Sequence, residues 1–175
     1  MKILGFIFES RPSVGAHVQH CIDKFNKALW ALTHLKRASI SSDVLVRVYL
    51  VMLRPLLEYC APVFHPMLTA SMSENLERQQ KRALKIIFGF ETTYEELLLK
   101  TNIPKLSIRR ESACTTFTEK LLMSERFNYL FPLNNQDVNG MNLRTTNVYR
   151  EDFARTERLY RSPVFTMRRN LNNNR

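Results

Sequence analysis

Four basic residues recur at the spacing of one helical face in the segment LERQQKRALKIIFG, residues Leu76–Gly89. They are Arg78, Lys81, Arg82 and Lys85. At about 3.6 residues per turn these four positions share one side of a helix. The other side is apolar and consists of Leu76, Ala83, Leu84, Ile87 and Phe88. Guanidinium and ammonium groups in such a row bind phosphate oxygens, because both are charged hydrogen-bond donors. The segment predicts a helix with one face for a core and one for an anion, and a merely solvated charged face is the alternative.

A second basic group lies near the end of the chain, where Arg155, Arg158 and Arg161 follow one another at intervals of three. Glu157 interrupts this group and weakens its positive potential. Phosphate contact and a solvated surface therefore remain equal alternatives for these three arginines.

The overall charge favours a polyanionic partner. The 175 residues carry 26 Lys and Arg against 16 Asp and Glu, a net charge of +10. The excess lies in residues 1–110 and 141–175, whereas residues 111–140 are net acidic. Nucleic acids attract such chains because each neutralised phosphate releases counterions. Ribosomal proteins, membrane-surface proteins and basic enzymes share this composition, so charge alone does not identify the partner.

Residues that could hold a metal or perform catalysis do not form a recognisable pattern. His17, His20, Cys21 and His34 lack the spacing of a zinc site. Cys60 and His65 lack an acid to orient the histidine, and Pro62 lies between them. We expect no catalytic residue, metal site or cofactor in this chain.

The cysteine pattern and the short apolar runs predict where the chain resides. Three widely spaced cysteines favour reduced thiols inside the cell, in either nucleus or cytoplasm. The N-terminal apolar run is shorter than that of a signal peptide, and no run is long enough for a membrane span. We therefore expect no membrane partner.

One strand and a series of helices would position these residues. The segment ILGFIF, Ile3–Phe8, reads as a single strand whose partners would lie in the C-terminal third or in a longer parent chain. Helical periodicity covers residues 18–37, and Ser41, Ser42 or Asp43 would cap a second helix with Val44, Val48, Met52 and Leu56 along its apolar stripe. Pro55 should kink or break that helix near Met52.

Helix-capping and helix-breaking residues define the ends of the remaining helices. Pro62 and Pro66 predict an extended connector, after which Ser71 or Ser73 would cap the basic helix and Gly89 would end it. Thr92 or Thr93 with Glu95 or Glu96 predicts a capping box for a short helix. Another helix is expected over residues 107–125. The aromatic residues Trp30, Tyr59 and Phe64 could stack on bases, but their apolar neighbours favour the core.

These elements predict a mainly α fold, with one N-terminal β-strand and an irregular arginine-rich C-terminal segment. The predicted organisation is a strand segment at residues 1–12, a helical domain at 13–131, and a polar loop with a basic tail at 132–175. Pro132 and the asparagine-rich segment after it mark the last boundary.

Several segments resemble the reverse transcriptases of non-LTR, LINE-like retrotransposons, in the order in which that family carries them. The matching strings include LRPLLEYCAPVFHP (Leu53–Pro66), LERQQKRALKIIFG and YEELLLKTNIPKLSIRR (Tyr94–Arg110). KILGFIF (Lys2–Phe8) is similar to the strand that closes the catalytic palm, and GMNLRT (Gly140–Thr145) and RTERLYRS (Arg155–Ser162) are similar to late basic segments.

The resemblance implies that residues 18–88 form a thumb-like helical bundle beside an RNA/DNA template–primer duplex. The family performs RNA-directed DNA synthesis with two Mg²⁺ ions held by palm aspartates, and this chain shows no aromatic-Ala-Asp-Asp sequence. We therefore expect a fragment that binds nucleic acid, with Mg²⁺ only in an upstream palm domain, and that is inactive alone. A non-catalytic protein-interaction module or a decayed transposon remnant is the alternative. Leu171-Asn172 replaces the family's Trp-Asn pair, which leaves the packing of the tail open.

Overall fold

The computed structural model describes residues 1–9, 13–134 and 147–173 and is mainly helical, which confirms the predicted class. A hairpin of β1 (Lys2–Ile3) and β2 (Phe6–Ile7) opens the chain. The α-helices in the described ranges are α1 (Gly15–Arg37), α2 (Ser42–Val48), α3 (Arg54–Glu58), α4 (Ala61–Phe64), α5 (Ala70–Phe88), α6 (Tyr94–Thr101), α7 (Leu106–Leu122), α8 (Glu157–Tyr160) and α9 (Pro163–Asn173). A π-helical turn covers Tyr49–Leu53, and 3₁₀ turns cover His65–Met67 and Glu125–Leu130.

The chain forms two compact units that are interleaved in sequence. Unit 1 consists of Met1–Ala61 and Leu68–Arg110, and unit 2 of Pro62–Met67 and Glu111–Arg175. The division into segments 1–12, 13–131 and 132–175 stays a prediction.

The N-terminal strand pairs with itself, so the expectation of a single strand with a distant partner is wrong. Ile3 lies opposite Phe6 in an antiparallel hairpin. Leu4 and Gly5 form the turn with φ of 46° and 84°, the positive values that a tight two-residue hairpin needs. The Tyr59 hydroxyl donates to the carbonyl oxygen of Leu4 and so anchors the turn in unit 1.

The second helix is buried on a face one residue away from the predicted stripe. Leu45, Tyr49, Leu53 and Leu57 are buried, whereas Val44 and Met52 are 47% and 64% exposed. Both faces of this segment are apolar, so periodicity alone did not decide which one packs. The predicted break before Pro55 takes the form of the π-helical turn, which accommodates the missing proline N–H.

Two predicted helix boundaries in unit 1 are confirmed and one is corrected. Gly89, at φ 103°, ends α5, and Thr93 with Glu96 forms the capping box of α6. The N-cap of α5 is Thr69 rather than Ser71 or Ser73. Thr69 Oγ1 accepts the N–H of Met72 at 3.2 Å.

Unit 2 is more regular than predicted. The stretch with Pro62 and Pro66 forms α4 and a 3₁₀ turn instead of an extended connector. The arginine-rich segment forms α8 and α9, which corrects the expectation of irregular structure. Leu133 and Tyr149 form an isolated antiparallel bridge. The Gly140–Thr145 motif and most of the predicted polar loop lie outside the described residues.

Candidate nucleic-acid interface

Helix α5 carries the first group of predicted phosphate contacts, and its apolar side fixes its position. Leu76, Ala83, Leu84 and Ile87 are fully buried. The helix packs along α1 and also against α2. The prediction that this side of the helix belongs to a core is therefore confirmed.

The four basic residues lie together on the other side of α5, and we call them the basic face. Arg78, Lys81 and Arg82 are exposed and Lys85 is half-buried. The first and the last of them are seven positions apart, which is about 10 Å along a helix. A row of this length matches a few successive phosphates of one strand, and it is presented by a rigid element.

Arg78 differs from the other three residues of the basic face because it has a carboxylate partner. Arg78 forms an exposed ion pair with Glu74 at 3.4 Å. Arg82 Nη1 donates to Asn26 Oδ1 on α1 at 3.1 Å. In the ranges that the structure covers, Arg82 forms no ion pair, and neither do Lys81 and Lys85. The positive potential of these three cations is therefore not neutralised locally.

Two of these cations also lie beside aromatic rings. Lys81 Nζ is 5.9 Å from the centroid of the Tyr94 ring, and Lys85 Nζ is 5.9 Å from that of Phe90. Lys85 Nζ also donates to the Phe90 carbonyl oxygen at 3.4 Å. These contacts orient the ammonium groups and leave their charge available to an anion.

A buried hydrogen-bond network that the sequence did not reveal holds α5 from its inner side. Tyr49 donates to Gln80 Oε1 at 2.6 Å, and Gln80 Nε2 donates to Tyr94 Oη at 2.9 Å. Tyr94 in turn donates to Glu77 Oε1 at 2.5 Å. Burial raises the pKa of both tyrosines, so their hydroxyls remain protonated donors. The available signal was Gln80 itself, a polar residue within the apolar stripe of α5.

Arg54 and Glu58 form an ion pair across one turn of α3, but a distant residue binds the carboxylate more closely. Arg54 Nε lies 3.9 Å from Glu58 Oε2. Arg109 Nε and Nη2 donate to the two carboxylate oxygens of Glu58 at 2.5 and 3.1 Å. The hydrogen bond to Glu58 raises the pKa of Arg109. Arg109 and Glu58 therefore tie α7 to α3 and have a structural role.

The C-terminal candidates belong to unit 2 and differ from one another. Arg155 and Arg158 are exposed. Arg161 Nε is 2.7 Å from Glu157 Oε1, which neutralises its charge. Of the three predicted tail contacts, Arg155 and Arg158 are the better suited to bind an anion.

Other arginines of the tail stabilise unit 2 instead of facing solvent. Arg168 is buried and donates to the Leu130 carbonyl at 2.7 Å and to Asp152 at 3.0 Å. The guanidinium of Arg169 lies 3.5 Å from the centroid of the Tyr160 ring. Both arginines also line a concavity of about 290 Å³. The number of arginines in this segment is therefore larger than the number that can bind phosphate.

The tail packs through Asn172. Asn172 Oδ1 accepts the N–H of Tyr149 at 3.1 Å, and its Nδ2 donates to the Tyr149 carbonyl at 3.0 Å. Nδ2 also donates to Glu151 at 2.7 Å. The side-chain amide thus pairs with the Tyr149 backbone as a neighbouring strand would.

His17 and Cys21 of α1 are buried structural groups. His17 Nε2 is 3.6 Å from Cys21 Sγ, and burial lowers the pKa of His17 while raising that of Cys21 to about 11. Among the residues with described positions, no group of three or more His, Cys, Asp or Glu is arranged to hold a metal ion. No helix in the same part of the chain is long and apolar enough to cross a membrane.

No family model matches the chain, and no curated protein or solved structure matches it either. The candidate interface therefore rests on the geometry described above and on the residues of the sequence.

Proposed function

We propose that this chain binds the backbone of an RNA/DNA template–primer duplex, as the thumb-like and C-terminal part of a retrotransposon reverse transcriptase. The observation that carries the proposal is the basic face of α5. Lys81, Arg82 and Lys85 project from one rigid helix and have no carboxylate partner among the described residues. Such contacts position a duplex without reading its sequence.

The charge pattern around the basic face favours phosphate binding over a solvated helix surface. Solvated helix faces commonly alternate in sign, as Glu74 and Arg78 do on the first turns of α5. From Arg78 to Phe88 the helix carries four basic residues and no acidic one. Repulsion among like charges at this spacing is a cost that a polyanion relieves. The resemblance to the retrotransposon enzymes adds support for the same partner.

The proposal assigns no chemistry to the chain. Phosphoryl transfer in the family needs a pair of carboxylates that hold two metal ions in line with the attacking and leaving oxygens. The aromatic-Ala-Asp-Asp sequence that supplies them does not occur in these 175 residues. Mg²⁺ and RNA-directed DNA synthesis would belong to a palm domain of a parent polymerase.

The test compares charge reversals on and off the basic face. Changing Lys81, Arg82 and Lys85 to Glu should weaken binding of a labelled RNA/DNA duplex at least about tenfold at low salt, measured by fluorescence anisotropy. The matched control reverses three exposed basic residues elsewhere, Lys105, Lys120 and Arg126, and so has the same net charge. Equal losses in both variants would reduce the interaction to net charge, and an unchanged affinity of the first variant would refute the proposal. Circular dichroism checks that both variants stay helical.

A protein-interaction module is the second candidate, and exposed apolar side chains on the second helical segment favour it. Val51 and Met52 are 74% and 64% exposed, and Val44 is 47% exposed. A cluster of this kind is typical of a surface that packs on another protein. Sedimentation of the same samples without nucleic acid distinguishes the candidates, because self-association together with absent duplex binding would favour the module.

A further inference from the structure

Trp30, the only tryptophan in the sequence, is exposed on α1. Its side chain is 66% accessible, although tryptophan is largely buried in most folded proteins. The expectation that Trp30 belongs to the core is therefore wrong, whereas Phe64 is buried as expected. A large apolar ring left in water on an ordered helix points to a contact that the isolated chain does not make.

The indole ring is held in place by the next turn of α1. The ring centroids of Trp30 and His34 are 3.8 Å apart with an interplanar angle of 39°. His34 Nδ1 donates to the Trp30 carbonyl oxygen at 2.9 Å, which fixes the imidazole beneath the indole. One face of Trp30 is thus supported by a second ring, and little side-chain freedom remains to be lost on binding.

Trp30 lies one turn of α1 away from a residue that contacts the basic face. Asn26, one turn before Trp30, accepts the hydrogen bond from Arg82, and Met72 Cε lies beside Gly15. These two contacts show that α1 and α5 run in the same direction. Trp30 follows Asn26 by four residues, so it is level with the turn of α5 that follows Arg82. That turn of α5 contains Lys85.

The surroundings of Trp30 are cationic on α1 as well. From Lys24 to Arg37 the helix carries four basic residues and no acidic one. Lys27, one turn before Trp30, is exposed. A neutral apolar partner would leave these charges without compensation, whereas a nucleic acid supplies both an aromatic face and phosphates.

We propose that Trp30 is a stacking platform for an unpaired nucleobase in a single-stranded segment whose phosphates contact the basic face. This inference rests on the proposed function and adds base stacking to backbone binding. A base in the interior of a duplex has both faces covered by its neighbours, whereas an unpaired base in a single strand leaves a face open to the indole. The ligand is therefore single-stranded RNA or DNA, either alone or as an overhang on a duplex.

The intrinsic fluorescence of the unmodified chain reports on this site alone, because no other tryptophan contributes. Addition of a short oligothymidine should quench Trp30 emission in a saturable, salt-dependent manner. A blunt DNA duplex of equal charge should bind by anisotropy with little quenching. Inorganic polyphosphate, which has no bases, should leave the emission unchanged.

Three variants separate stacking from charge. Trp30→Ala should weaken binding of labelled oligothymidine about tenfold and leave duplex binding within about twofold, and Trp30→Phe should retain most of the affinity. Phe153→Ala is the matched control, because it removes an aromatic ring that is 86% exposed in unit 2. It should bind both ligands as the unmodified chain does.

The outcomes distinguish this inference from the function on which it rests. Duplex and oligothymidine binding without quenching would overturn the stacking site and leave the proposed function standing. Quenching by polyphosphate would also overturn it, since no base is present. Absence of binding to either nucleic acid would overturn both. A blue-shifted emission that depends on protein concentration would mean that Trp30 packs on a second protein molecule, and would refute the stacking role.

Discussion

Glu77 Oε1 lies 3.2 Å from the backbone nitrogen of Leu106, so a side chain of α5 caps the N-terminus of α7. The other carboxylate oxygen accepts the N–H of Ser107 at 3.3 Å. Two N–H groups that a helix leaves unpaired at its start are thereby satisfied, by a carboxylate that also favours the positive end of the helix dipole. Helix α5 therefore presents the basic face on its outer side and is held by the start of α7 on its inner side.

Replacing Glu77 should destabilise unit 1 more than replacing an exposed acid on the same helix. Glu77→Gln keeps the size of the side chain but removes the negative charge and one acceptor, which should cost about 1–2 kcal/mol of unfolding free energy. Urea unfolding followed by circular dichroism measures the change. Glu74→Gln is the control, because Glu74 is exposed and forms a surface ion pair with Arg78 at 3.4 Å. Equal effects of the two changes would contradict the capping role.

Asn172 should determine the local stability of the segment around Tyr149. Asn172→Ala removes both hydrogen bonds to the Tyr149 backbone, at a cost of about 1–2 kcal/mol. Amide hydrogen exchange at Tyr149 should accelerate by about tenfold. Asn173→Ala, the exposed neighbour on α9, serves as control and should leave that amide unchanged. Protection that persists in Asn172→Ala would show that other contacts hold this segment.

His17 should make the fold less stable in mild acid. Burial lowers its pKa below the usual 6.5, with smaller contributions from the positive charges of His20 and Lys24, while its hydrogen bond to the Tyr59 carbonyl acts in the opposite direction. The unfolded chain therefore takes up a proton on this residue at a higher pH than the folded chain does. The free energy of unfolding should be constant with respect to His17 above pH 6.5 and fall as the pH drops towards the pKa of the folded state.

Urea unfolding at about pH 7.5 and about pH 5.5 measures this effect, since the carboxylates remain largely ionised in that range. His17→Gln should lose less stability between the two conditions than the unmodified chain. His34→Gln, which removes an exposed histidine from the same helix, is the control and should retain the full loss. A pH dependence that is the same in both variants would show that His17 does not cause it.

The buried and exposed sides of α5 could be predicted from the sequence, because one side is apolar and the other is basic. Leu76 and Ile87 lie on the buried side, and Lys81 and Arg82 on the exposed one, as their spacing predicts. The segment from residue 44 to residue 57 offered no such contrast, since both its faces are apolar. Its buried face was therefore chosen by packing in unit 1.

The sequence by itself determined the helical class, a capping box at Thr92 or Thr93, the interruption before Pro55 and the basic face, because each depends on residues within a few turns of one another. Only the tertiary structure decided that Arg109 binds Glu58, that Gln80 joins Tyr49 to Tyr94, and that Trp30 stays in water. Those outcomes depend on which surfaces meet across long sequence separations. The spacing of residues along the chain carries no information about which surfaces meet. That choice is made when the helices pack against one another.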